Sequence, residues 1–217
     1  MADEAERLVK IPADSVFLEG ALGIPEGARG LVVFAHGSGS SRLSPRNNFV
    51  AGVLRERGIA TLLFDLLTEE EDTTYETRFN IALLTRRLIA ATRWLATQPE
   101  TKKLKIGYFG ASTGSAAALQ AAARLGKKIS AVVSRGGRPD LTGPEISKVT
   151  APTLFIVGGA DYGVIEMNES ALAQLKCEKS LQIVPGATHL FEEPGALEEV
   201  ARLAAEWFGK HLHTKSG

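Results

Sequence analysis

Across 217 residues the chain is 44% hydrophobic and 23% charged, with 25 Lys plus Arg against 25 Asp plus Glu. That balance fits one globular domain (1–217) with a sizeable core and, in the absence of a basic stripe, argues against a nucleic-acid partner. A single cysteine, Cys177, excludes an internal disulfide and fits a reducing cytoplasm; the acidic start lacks the regions of a signal peptide, and no apolar run reaches membrane-span length.

In chain order, 1–15 reads as an N-terminal extension, and 16–24 with 31–35 as a hairpin turning through the Pro25 to Gly30 stretch. A helix over 45–57 leads to a strand at 60–64. The long helix over 77–96 places Ile81, Leu84, Leu88 and Leu95 on one stripe. A buried strand over 104–109 is followed by a glycine-flanked turn and a small-residue helix, 115–125. Strands at 129–133 and 153–157, a helix at 164–175 and a strand at 181–184 come next. The last helix, 196–211, carries Leu197, Val200, Leu203, Ala204, Trp207 and Phe208 on one face, and 212–217 reads as a disordered tail. Strands alternating with helices predict a mostly parallel sheet covered on both faces, with Trp94 and Trp207 in the core.

The turn is Gly110-Ala111-Ser112-Thr113-Gly114. A serine on a sharp strand-to-helix turn projects its hydroxyl above the sheet, where only glycines fit beside it. The hydroxyl needs a base and an orienting group. Of four histidines, His211 and His213 fall in what reads as a frayed C-terminus, and His36 follows the strand 31–35 and suits a loop-holding role. His189, on the loop after strand 181–184, is the candidate base. Asp161, directly after strand 153–157, is the candidate acid, and Asp140, after 129–133, is its rival. Backbone N–H groups of Ser38 and Thr113 are the expected oxyanion donors, Ser38 lying in the glycine- and serine-rich loop His36-Gly37-Ser38-Gly39-Ser40-Ser41. A phosphate cradle competes for that loop, but neither G-x-x-x-x-G-K-[ST] nor G-x-G-x-x-G is present. Cys177, between Lys176 and Glu178, lacks an activating context.

On these motifs, together with Gly158-Gly159-Ala160-Asp161 and Gly186-Ala187-Thr188-His189-Leu190-Phe191, the chain resembles the α/β-hydrolase superfamily. More narrowly it is similar to small dienelactone hydrolase-like serine hydrolases. The resemblance implies an α/β-hydrolase fold and a Ser112, Asp161, His189 triad cleaving small carboxylic esters through an acyl-enzyme, with no cofactor or metal. Dienelactone hydrolases proper use a cysteine nucleophile, so their lactone substrate does not carry over. The stretch 134–151 is too short for a substantial cap, which implies an open site. Arg42, Arg135 and Arg138 lie on loops that could face it, and Arg42 and Arg135 are candidates to hold a substrate carboxylate. The same machinery would serve a thioesterase, lactonase or peptidase, and a non-catalytic ligand-binding homologue is the alternative from another class. The expected partner is a small-molecule ester, with no nucleic acid and no membrane; a homodimer is left open.

Overall fold

Strands buried on both faces read as continuous apolar runs without period-two alternation, and the runs at 30–35, 60–64, 105–111, 129–135 and 153–158 have that character. The computed structural model describes residues 6–212. Its elements in chain order are β1 (Arg7–Ala13), β2 (Val16–Gly23), β3 (Gly30–Ala35), α1 (Pro45–Glu56), β4 (Ala60–Phe64) and the single-turn α2 (Glu69–Asp72). They continue with α3 (Ile81–Leu95), β5 (Lys105–Ala111), α4 (Thr113–Leu125), β6 (Ile129–Arg135), β7 (Thr153–Gly158), α5 (Tyr162–Gln174), β8 (Lys179–Val184) and α6 (Ala196–His211).

The strands form one sheet in the order β1-β2-β4-β3-β5-β6-β7-β8. The β1–β2 and β2–β4 pairs are antiparallel and all other neighbours are parallel. Alternate side chains divide the core in two. Leu31, Val33 and Tyr108 pack with α3 and α4 on one face, whereas Val32, Phe34 and Phe109 pack with α1 and α6 on the other. Trp94 and Trp207, expected in the core, are partly buried and pack against the margins of these two clusters.

Three expectations are corrected. The 1–15 extension contains β1, which pairs residue for residue with β2 from Arg7↔Leu22 to Ala13↔Val16. The segments at 16–24 and 31–35 are not a hairpin, because β2 pairs with β1 and β4 and lies apart from β3. The 77–96 helix divides, with a 3₁₀ turn over Tyr75–Phe79 ending at Asn80, whose side chain accepts the Leu83 N–H and starts α3 afresh. At the C-terminus, Leu212 is buried against Gly30, and the rest of the expected tail, 213–217, lies outside the described residues.

The order of the strands fixes where chemistry can gather. From β3 the chain leaves through α1 toward β4, and from β5 through α4 toward β6, on opposite sides of the adjacent β3–β5 pair. Such a reversal opens a crevice at the carboxyl ends of the two strands.

Candidate active site

Ser112 occupies that crevice at the β5–α4 junction with φ 49° and ψ −121°, a conformation strained for any residue with a Cβ. The turn is clamped. A Cβ on Gly110 would sit 2.6 Å from Ser115 Cα, and one on Gly114 would sit 2.1 Å from the Ala35 carbonyl oxygen, so glycine alone lets α4 close on β5 and β3. The Ser112 N–H donates to Arg135 O (3.2 Å) and the Arg138 N–H donates to Ser112 O (3.1 Å). Two buried hydroxyls brace the turn from below: Ser134 Oγ donates to Ser115 Oγ and Ser115 Oγ to Gly110 O, both at 2.9 Å. The sequence analysis missed this pair, whose only signal is a small polar residue inside an apolar run.

Asp161 follows β7 and His189 follows β8, and their loops are knit by backbone bonds from Gly159 N–H to Val184 O (2.8 Å) and from Ala160 N–H to Ala187 O (2.9 Å). The two side chains meet at 2.7 Å, His189 Nδ1 to Asp161 Oδ2. A carboxylate can only accept, so Nδ1 is the donor, and in the neutral ring Nε2 is the nitrogen left to accept a proton. The imidazole lies against Gly136, whose Cβ would be 3.5 Å from His189 Cε1 and Nδ1. His189 is 39% exposed and Asp161 17%. Among the described residues no hydrogen bond joins Ser112 Oγ to His189, an arrangement common before substrate tightens a site. Asp140, the rival acid, is held by both ends of Arg138 at 2.9 and 2.7 Å.

The loop from Ala35 to Ser44 forms the other wall. Gly37 faces Ser112, a Cβ there falling 3.1 Å from Ser112 Cβ. His36 is buried and fixes the loop: Leu66 N–H donates to its Nε2 at 3.0 Å, so the ring proton is on Nδ1 and is donated to Gly37 O at 2.9 Å. Both nitrogens are committed to a neutral ring, and burial holds its pKa below the ordinary histidine range. The Thr113 N–H, at the first position of α4, has no acceptor within the helix. The Ser38 N–H donates to Thr113 Oγ1 at 2.9 Å.

The arginines separate. Arg42 is not free to receive a substrate: its guanidinium is bound to Asp65 and, at 2.7 Å, to Glu19, which latches the loop to β4 and β2. Arg138 is spent on Asp140. Among the described residues Arg135 holds no carboxylate. His211, expected in a frayed end, lies in the last turn of α6 against Trp207, with ring centroids 4.7 Å apart. Cys177 is half-buried, and burial raises its pKa. The 139–148 stretch packs on α4, Gln120 Nε2 donating to Thr142 O and Arg124 binding Glu145.

The model of the dienelactone hydrolase family matches residues 18–212, nearly all of the described chain. The chain belongs to that family. A dienelactone hydrolase from Anabaena variabilis is 57% identical, with a TM-score of 0.94 over 96% of this chain and 98% of that one. A Mycobacterium tuberculosis protein named "Putative phosphoribosyl transferase" is 58% identical over 94% of this chain. The chain spans 46% of that protein, so the name describes a molecule more than twice as long. Est1E from Butyrivibrio proteoclasticus, solved with ferulic acid, shares the fold at 20% identity, with a TM-score of 0.80 over 94% of this chain and 98% of its own. Xanthomonas campestris XC6422, described as an α/β serine hydrolase without lid, does so at 19%, with a TM-score of 0.75 over 97% and 96%. Among the described residues no helix is long and apolar enough to cross a membrane.

Proposed function

We propose that the chain hydrolyses small carboxylic esters through an acyl-enzyme on Ser112. The observation that carries this reading is the His189–Asp161 contact of 2.7 Å, which in the neutral ring commits Nδ1 to donate and leaves Nε2 to accept, together with a serine held in strained geometry on the same rim of the sheet. His189 Nε2 takes the Ser112 hydroxyl proton as Oγ bonds to the ester carbonyl carbon. The oxyanion that forms is met by the N–H of Thr113, which has no helical acceptor, and by that of Ser38, which turns from Thr113 Oγ1. Collapse breaks the bond to the alcohol, which leaves with the proton from His189. Water then gives a proton to the same nitrogen, attacks the acyl carbon, and releases the acid as Ser112 recovers its hydrogen. Asp161 keeps the ring in one tautomer and stabilises the imidazolium in both halves.

No metal or cofactor enters any of these steps. The exposure of His189 and the packing of 139–148 on α4 favour short, soluble acyl esters over long lipid chains. Thioesters and lactones need the same atoms, and a panel of the three sorts them. The experiment that tests the reading is labelling with a fluorophosphonate alongside hydrolysis of p-nitrophenyl acetate. Wild-type protein should label and turn over, and Ser112→Ala should do neither. A folded Ser112→Ala protein that retains the wild-type rate would sink it.

A further inference from the structure

Two neighbouring acids on the loop after His189 go to different places. The Glu192 side chain is 66% exposed and reaches Arg46 at 3.2 Å, as a surface acid does. Glu193 reaches back along its own loop to Thr188. Its Oε1 accepts the Thr188 hydroxyl at 2.6 Å, and its Oε2 is sealed from water. That bond is the main cause holding the carboxyl below the usual carboxylate range, so Glu193 is charged at neutral pH and the bond is charge-assisted. Withdrawing a carboxylate oxygen from water is costly, which sets Glu193 apart from a solvated surface acid.

What Glu193 grips is the residue just before His189. The Phe191 N–H donates to Thr188 O at 3.2 Å, closing a turn with His189 and Leu190 at its two corners. Phe191 is left-handed at φ 56°, a conformation costly for a residue with a side chain, and its ring is buried. On its other side Glu193 meets α6, its carbonyl accepting the Ala196 N–H at 3.0 Å. That helix is anchored in the core by Val200, Ala204 and Phe208. Glu193 therefore joins the His189 turn to a helix packed on the sheet. The Asp161 bond holds one nitrogen of the imidazole, but the ring still swings if the backbone beneath it shifts. We propose that Glu193 is a positioning residue: through the Thr188 hydroxyl it fixes the backbone of His189 and keeps Nε2 where it can take the Ser112 proton.

This rests on the ester-hydrolase reading above, and two readouts separate the two. The first is kcat and KM for p-nitrophenyl acetate, measured well below the unfolding temperature of each variant. The second is the far-downfield proton NMR signal of His189 Nδ1–H, assigned by its loss in His189→Gln, which needs no turnover. Thr188→Val and Glu193→Ala should each lower kcat about tenfold with KM within about twofold, since misplacing a catalytic group by about 1 Å can cost a hundredfold. Each should also broaden or abolish the signal. Thr188→Ser keeps the hydroxyl and should restore both readouts to near wild type. The double variant should be no slower than the slower single one, because both act through one bond. Wild-type kcat with an unchanged signal in Glu193→Ala overturns the positioning role. So does a loss in Thr188→Ser equal to that in Thr188→Val, or a double variant whose losses multiply. If Glu193→Ala does not fold, the Thr188→Val and Thr188→Ser pair decides. A wild-type protein that shows the signal but hydrolyses no ester overturns the reading beneath it, and the signal alone then judges Glu193.

Discussion

Replacing Asp161 by Asn changes one atom in the site, and its consequence can be worked from the 2.7 Å contact. The carboxylate only accepts, which forces the His189 proton onto Nδ1. An amide can turn its NH₂ to the ring, and then Nδ1 accepts and the proton moves to Nε2, where it blocks uptake of the Ser112 proton. The charge that stabilises the imidazolium disappears at the same time. A tautomer fault of this kind in a serine triad lowers kcat by about 10⁴, or roughly 5.5 kcal/mol of barrier. Asp140→Asn weakens the exposed Arg138 pair and local backbone bonds at Asp140 and Leu141 and should leave kcat within about twofold, as surface pairs contribute little. The assay is steady-state turnover of p-nitrophenyl acetate, with thermal unfolding to establish that both variants fold. A loss below tenfold in Asp161→Asn, or a comparable loss in Asp140→Asn, refutes the assignment.

Two further outcomes follow from the loop that faces Ser112. His36 has its folded pKa below the ordinary 6.5, so it contributes stability fully above about pH 6.5, and that contribution is lost as pH falls through the folded value. Thermal unfolding between pH 8 and 5 should show the wild type losing more stability on acidification than His36→Gln; parallel curves would contradict the neutral ring. Thr113→Val removes the acceptor of the Ser38 N–H and should cost about 1 kcal/mol of stability. If Ser38 serves the oxyanion, kcat is kept or rises a few-fold, whereas a hundredfold fall would make the Thr113 hydroxyl part of the machinery.

The site was far more legible in the sequence than the sheet's antiparallel edge. Ser112, Asp161 and His189 each follow an apolar run, and a parallel sheet delivers the ends of such runs to one rim. The segment Arg7-Leu-Val-Lys-Ile-Pro-Ala13 gave no such signal, because its exposed charges and Pro12 suit an edge strand that is polar on one side. The false hairpin has a related cause. The turn after β2 reverses the chain as a hairpin would, yet nothing local tells β2 to pair with β4, a strand that comes later in the sequence. The arginines show a third limit. Arg42 and Arg135 looked alike as loop residues near the site, and only the fold brings Asp65 and Glu19 to the first and, among the described residues, no carboxylate to the second.

The twisted backbone at Ser112 sets selection for durability against selection for turnover. A residue held in such a conformation typically costs about 1–3 kcal/mol, comparable to a well-packed methyl group or two. Glycine at 112 would relieve that tension and yield a sturdier protein with no nucleophile. A lineage with no need of that hydroxyl would thus find a stabilising step waiting at this position.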